Sequence, residues 1–234
     1  MKPLKILFKF PCRGRREMFF ESLTSLDTYI QDRNNYHISL TLDTDDEILN
    51  VPEVVDKIHE FENVSIAWGT SDSKIHAINR SMPDYDWDVI ICWSQDMFAT
   101  MLGFDNIIRD GILQVFGNTG MDGLAHFPEP DSKEYLNVLY IATRKYYDRF
   151  GYIYHPSYKS LWADNETLEV SKRLGKYHYF ETMGLYQHKN PAYHHYNIPR
   201  DELFNLQQSF WGVDEANFNE RKSNNFYINQ KEQP

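Results

Sequence analysis

Between Lys5 and Trp93 four short apolar runs are separated by three stretches of helical periodicity, and no other feature restricts the fold as tightly. The runs are Lys5–Phe10, Tyr36–Leu42, Val64–Trp68 and Val89–Trp93. Between them, Phe19, Leu23, Leu26 and Ile30 recur at helical spacing, then Val54, Val55, Ile58 and Phe61 behind Pro52, then Ile75, Ile78 and Met82. Strands joined through helices predict a mostly parallel α/β sheet with right-handed crossovers. Val89–Trp93 is apolar throughout, as a strand buried on both faces must be. In such sheets ligands sit outside the carboxyl ends of the strands. The polar clusters Pro11–Arg15, Asp43–Asp46, Gly69–Lys74 and Ser94–Asp96 all fall there.

The remaining chain is less regular. Gly117–Pro130 reads as a loop, Thr143–Phe150 as a short helix and Gly151–Ser160 as an extended, Tyr-rich segment. A helix begins at Asp164, with Leu168, Ser171 and Leu174 on one side and Gly175 as its stop. Arg200–Phe218 reads as one amphipathic helix through Leu203, Leu206, Phe210 and Val213, followed by a polar tail over 220–234. A chain of 234 residues supports one sizeable core, so 1–219 is expected to form a single domain.

The net charge of −10 argues against nonspecific nucleic-acid binding, which needs a basic face. Cys12 and Cys92 are the whole cysteine complement, each beside an apolar run; two reduced, buried thiols are expected rather than a disulfide scaffold. No apolar stretch approaches the roughly 20 residues of a membrane span. Met1-Lys2-Pro3 leads straight into a strand without a signal-peptide pattern, so a cytoplasmic protein is the simplest expectation.

Asp96 follows a buried strand, where a carboxylate can hold Mg²⁺ or Mn²⁺ against a diphosphate. Asp43-Thr44-Asp45-Asp46 is a rival metal site on carboxylate density, and spacing does not choose between them. Asp164 stands either as a helix cap or as a general base. Gly69–Lys74 lacks the second glycine of a phosphate loop, and His194-His195 lacks the spacing of a zinc protease.

At these points the chain resembles a family. Lys9–Arg15, Lys74–Arg80, Ser94-Gln95-Asp96-Met97 and, most specifically, Tyr146–Pro156 continuing to Trp162–Glu166 are similar to the text of small inverting glycosyltransferases with the GT-A (nucleotide-diphospho-sugar transferase) fold. Bacterial and phage-borne members carry very similar text at this last segment, and the resemblance covers roughly Lys5 to Pro191. The resemblance implies a GT-A, Rossmann-like, mostly parallel sheet flanked by helices, with a C-terminal helical extension. It implies a nucleotide-sugar half over about 1–100 and an acceptor half over about 101–219.

Residue by residue, it places Pro11 and Arg13 near the nucleotide, Asp43 on the base, and Lys74 and Asn79 on a bordering helix. Asp96 matches the last Asp of the DxD-type motif, His188 a histidine that approaches metal or diphosphate, and Asp164 the proposed base. The implied donor is a nucleotide sugar, with UDP favoured because an ionised Asp43 only accepts hydrogen bonds and suits uracil N3–H; the implied cofactor is Mn²⁺ or Mg²⁺, and the acceptor a glycan or other hydroxyl. Gln95 stands where relatives carry a second Asp, and Asn190 where they repeat His before Pro. Those departures keep open a non-catalytic nucleotide- or glycan-binding module; a nucleotidyltransferase would want a first loop richer in glycine than Pro11–Arg16, which has only Gly14.

Overall fold

A computed structural model of the chain describes residues 2–228. Its first part runs β1 (Ile6–Cys12), α1 (Arg16–Tyr29), β2 (Tyr36–Asp43), α2 (Pro52–Ile58), β3 (Val64–Gly69), α3 (Lys74–Asn79) and β4 (Val89–Cys92). β1 pairs in parallel with β2 from Ile6 opposite Tyr36 to Cys12 opposite Leu42, and with β4 from Ile6 opposite Val89 to Lys9 opposite Cys92. β3 adds to β2 in parallel. All four carboxyl ends therefore lie along one edge, as the alternation predicts.

The second part supplies β5 (Met97–Ala99), α4 (Phe104–Phe116), β6 (Leu124–His126), β7 (Ile141–Thr143), α5 (Arg144–Asp148), α6 (Ala163–Arg173), β8 (Tyr177–Tyr179), β9 (Tyr186–His188), α7 (Glu202–Ser209) and α8 (Trp211–Ser223). The main sheet has the order β3-β2-β1-β4-β7-β6-β8, with β7 antiparallel to β4 and β6 antiparallel to β7. β5 and β9 form a separate antiparallel ribbon.

Apolar side chains cover both sheet faces. Ile6, Phe8 and Phe10 belong to one core with Phe19, Leu23 and Leu26 of α1; Leu7 and Ile90 belong to the other with Ile75 and Ile78 of α3. α4 carries Phe104, Ile108, Ile112 and Phe116 at four-residue intervals onto the first core, a helix the sequence reading passes over. Both cysteines are buried free thiols. Among the described residues no helix is long and apolar enough to cross a membrane.

Four expectations change. The loop expected over Gly117–Pro130 contains β6, whose backbone is completed by β7 and β8 rather than by any local signal. Gly151–Ser160 is a run of bends and turns, because the Asn79 amide takes its backbone: Nδ2 donates to the Tyr154 carbonyl (2.6 Å) and Oδ1 accepts from the Ile153 and Tyr154 amides. The single helix expected over Arg200–Phe218 is two helices meeting at Phe210. α8 is fixed independently by Asp214, whose carboxylate, fully buried, accepts from the Lys159, Ser160 and Leu161 amides. α8 also runs past the expected start of the tail, with Arg221 in a two-pronged ion pair with Glu166 of α6, and Phe226 beyond it is buried. Residues 229–234 of the expected tail lie outside the described residues.

One residue on β1 breaks the apolar pattern. Lys9 is fully buried, and its Nζ donates to Thr41 Oγ1 (2.5 Å) and to the Arg80 and Ser81 carbonyls (2.7 and 3.0 Å). Burial, with the Arg80 charge adding to it, lowers its pKa from 10.5 to about 8. The unfolded chain therefore holds a proton between about pH 8 and 10.5 that the folded chain lacks, and stability from this group rises with pH through that window. Chemical denaturation of wild type and Lys9→Met across it should show the wild-type margin widening by on the order of 2–3 kcal/mol. A margin constant with pH would contradict the assignment.

Candidate functional site

The loop after β1 turns sharply: Gly14 and Arg15 both take left-handed backbone (φ 57° and 47°). For arginine this conformation is strained and needs outside support. Two side chains supply it. Gln95 Oε1 accepts from the Arg13 amide (3.1 Å) while its Nε2 donates to the Gly14 carbonyl (3.0 Å). Asp46 Oδ2 accepts from the Gly14 amide (2.7 Å), and its Oδ1 accepts from the Ile48 and Leu49 amides. Gln95 is thus a clamp on this loop. A carboxylate could not make the same pair of bonds, since it has no proton to donate.

Asp43, at the end of β2, is buried and held on both oxygens. Oδ1 accepts from Ser71 Oγ (2.6 Å) and Arg80 Nη2 (2.9 Å); Oδ2 accepts from Arg13 Nη1 (2.8 Å). Arg13 also pairs with Asp45. Asp43 is thus engaged by two arginines and Ser71, and Asp46 by backbone amides. Among the described residues no group of three or more His, Cys, Asp or Glu is arranged to hold a metal ion.

The strand-end loops enclose a cavity of about 240 Å³. Asp43 and Pro11 line it, with Arg13, Arg15, Lys74, Gln95 and Asp96, and the outer side is made by Leu203, Leu206, Gln207 and Phe210 of the α7 region. Arg15 reaches across to Asp201, which it holds with two bonds (2.5 and 2.7 Å), and Asp201 in turn caps α7 by accepting from the Phe204 amide.

Asp96 is brought to His188 by the small ribbon, where Met97 lies opposite His188 and the Lys189 amide donates to the Asp96 carbonyl. His188 Nε2 lies 3.3 Å from Asp96 Oδ2, and Ser94 Oγ donates to Oδ1 (2.5 Å). Burial alone would raise the Asp96 pKa; His188, the Ser94 hydroxyl and the Lys74 charge overcome it and hold the group well below the usual carboxylate range. His188 Nδ1 is buried without a hydrogen-bond partner among the described residues.

Asp164 is not the cap of α6. Trp162 occupies that position, and Asp164 is the second residue of the helix, its Oδ1 accepting from the Asn165 amide. Burial pushes its pKa up, against the partial pull of Lys74, nearby backbone amides and His188. Lys74 and His188 thus bear on both carboxylates, Asp96 and Asp164. Of the expected site residues, Asp164 and His188 stand outside the lining of this cavity, and so does Asn79. Its amide is taken by the backbone of residues 153 and 154, so it shapes the wall without facing the cavity. Arg15, Arg80 and the α7 side chains were not singled out from sequence. Arg15 and Arg80 stand in quoted motifs, but only tertiary contacts reveal what they hold.

No family model matches the chain, and no curated protein matches it in sequence. Solved structures do match in shape. TarS residues 1–349 from S. aureus, in complex with UDP-GlcNAc, superposes with a TM-score of 0.60 at 10% identity, over 90% of this chain and 66% of that one. Another TarS structure gives 0.61 at 11%, over 80% of this chain and 37% of its own length. The mannosyltransferase PcManGT from Pyrobaculum calidifontis, in complex with GDP-Man and Mn²⁺, gives 0.58 at 13%, over 79% and 56%. The chain spans 61% of the length of a further TarS 1–349 structure. With the sheet order and the strand-end cavity, these superpositions identify the architecture: the chain has a GT-A fold.

Proposed function

We propose that this cavity binds a nucleoside-diphosphate sugar and that the chain is a glycosyltransferase passing the sugar to a hydroxyl acceptor. One observation carries the reading: a single cavity is lined by a pinned carboxylate, Asp43, and by Arg15, Lys74 and Asp96, the groups a base and a diphosphate require. The fold neighbours add to it, having been solved with UDP, UDP-GlcNAc, and GDP-Man with Mn²⁺.

Asp43 reads the base. An ionised carboxylate only accepts hydrogen bonds, so it suits uracil N3–H and repels the N3 lone pair of cytosine. Guanine also offers N–H donors and is the competitor; the cavity wall at Pro11 favours the smaller pyrimidine, so UDP is the favoured carrier. Asp96 and His188 fit a divalent cation of the Mg²⁺ or Mn²⁺ kind, which takes few protein ligands and fills the rest from phosphate and water. His188 presents Nε2 to Asp96 Oδ2, so a cation there would be shared between that nitrogen and the carboxylate. When bound, such a cation supplies charge neutralisation to the departing diphosphate. Lys74 and Arg15 add positive charge on the same side of the cavity.

Asp164 serves as general base. As the acceptor oxygen bonds to the anomeric carbon, the bond from that carbon to the phosphate oxygen breaks. The acceptor proton passes to Asp164, and the electron pair leaves with the nucleoside diphosphate. A non-catalytic nucleotide- or glycan-binding module, which would bind donor without turnover, is favoured by Gln95, whose side chain is spent on the loop, and by Asn190.

Calorimetric titration of UDP in Mn²⁺ and in EDTA tests the binding roles. Wild type should bind at least about tenfold tighter with Mn²⁺, and Asp96→Ala should lose that difference. Asp43→Asn should weaken UDP while keeping the metal requirement. Equal affinity of all variants in both conditions, or GDP binding tighter than UDP, would contradict them. For turnover, Asp164→Asn should lose about 10²–10⁴ in rate with donor affinity unchanged. The base works deprotonated, so wild-type kcat/KM should fall as pH drops through a pKa above the ordinary carboxylate value of 3.8. A rate near wild type in the Asn variant would remove Asp164 from the mechanism.

A further inference from the structure

Leu203, Leu206 and Phe210 follow the spacing of a helix that packs on a core, yet the core is not where they go. The residue α7 buries is Phe204, with the Arg200 guanidinium over its ring. The apolar stripe instead lines the nucleotide cavity, and Leu206 stays 55% exposed. An apolar stripe turned toward a cavity with charged walls leaves surface in water that a protein core would have covered. A ligand with an apolar face would cover it.

The rest of the cavity defines that ligand. Asp43 offers an acceptor to a polar edge, while Arg15 and Lys74 offer positive charge to a diphosphate. A nucleobase has a polar edge and two flat, weakly polar faces, so its edge and one face would be met by different walls. A sugar, with hydroxyls around its ring, fits less well against Leu203, Leu206 and Phe210, whose side chains offer no hydrogen-bond partner.

We propose that Leu203, Leu206 and Phe210 form the apolar wall against which the donor's nucleobase packs, an inference that rests on the nucleotide reading above. The wall is positioned by Arg15. That residue lines the cavity, feels the Asp96 charge and grips Asp201, the cap of α7. The loop after β1 and the helix bearing the wall are thus tied together across 186 residues of sequence. Expected site residues on the strand ends supply the polar contacts; α7 supplies the missing apolar face.

The test compares UDP with inorganic pyrophosphate, which has the diphosphate and no base, each in Mn²⁺. Leu206→Asp and Phe210→Ala should each weaken UDP about tenfold, the scale of losing packing on one base, and change pyrophosphate less than about twofold. Leu206 is exposed, so its variant should melt with the wild type, and Phe210→Ala gives an independent reading. Unchanged UDP affinity in both variants, with wild type binding UDP, would overturn the wall alone. Equal losses for UDP and pyrophosphate would also overturn it, because the helix would then act on the phosphates. Failure of wild type to bind UDP at all would instead remove the nucleotide reading, and the wall with it. A wild-type dimer by sedimentation that Leu206→Asp dissociates, with UDP affinity kept, would assign the stripe to a second copy and overturn the proposal.

Discussion

Parallel pairing of β1 with β2 on one side and β4 on the other decides where every later group can act. It buries β1 on both faces and ends three strands side by side at Cys12, Asp43 and Cys92, with Gly69 of β3 beyond. Polar residues cannot continue inside such a sheet without unpaired backbone or buried charge. They gather just past the strand ends, and the loops there become walls of one cavity. The buried Lys9 belongs to the same arrangement: its ammonium holds the Arg80 and Ser81 carbonyls, and Arg80 holds Asp43.

The charges in the cavity are held before any ligand arrives. Asp43 has three donors on its two oxygens, the Arg13–Gly14 backbone is clamped by Gln95 and Asp46, and Asp96 is engaged by Ser94 and His188. Preorganised groups of this kind lower the reorganisation needed when a charged ligand binds. Asp164 differs. Its carboxylate meets one adjacent backbone amide and sits in surroundings that raise its pKa, the condition of a group suited to take up a proton.

The parallel layer was legible in the sequence because its strands and helices carry their periods locally: Ile6, Phe8 and Phe10 on β1, Phe19, Leu23 and Leu26 on α1. The positions of Asp43 and Asp96 followed from strand ends. What was not legible depended on distant partners. β6 is three residues long and exists because β7 and β8 flank it. Asn79 sits in a site-like motif but spends its amide on residues 153 and 154. Leu203, Leu206 and Phe210 have the spacing of core residues, and nothing local says that their cover is a cavity. Gln95 reads as a lost ligand in sequence and as a loop clamp in space.

The most direct test of the account is a crystal structure of the chain with UDP and Mn²⁺. It should show the uracil edge on Asp43, the diphosphate beside Arg15 and Lys74, and Mn²⁺ bonded to Asp96. A nucleotide bound away from the strand-end cavity, or seated in it with Mn²⁺ on other residues, would contradict the assignment of this edge as the donor site.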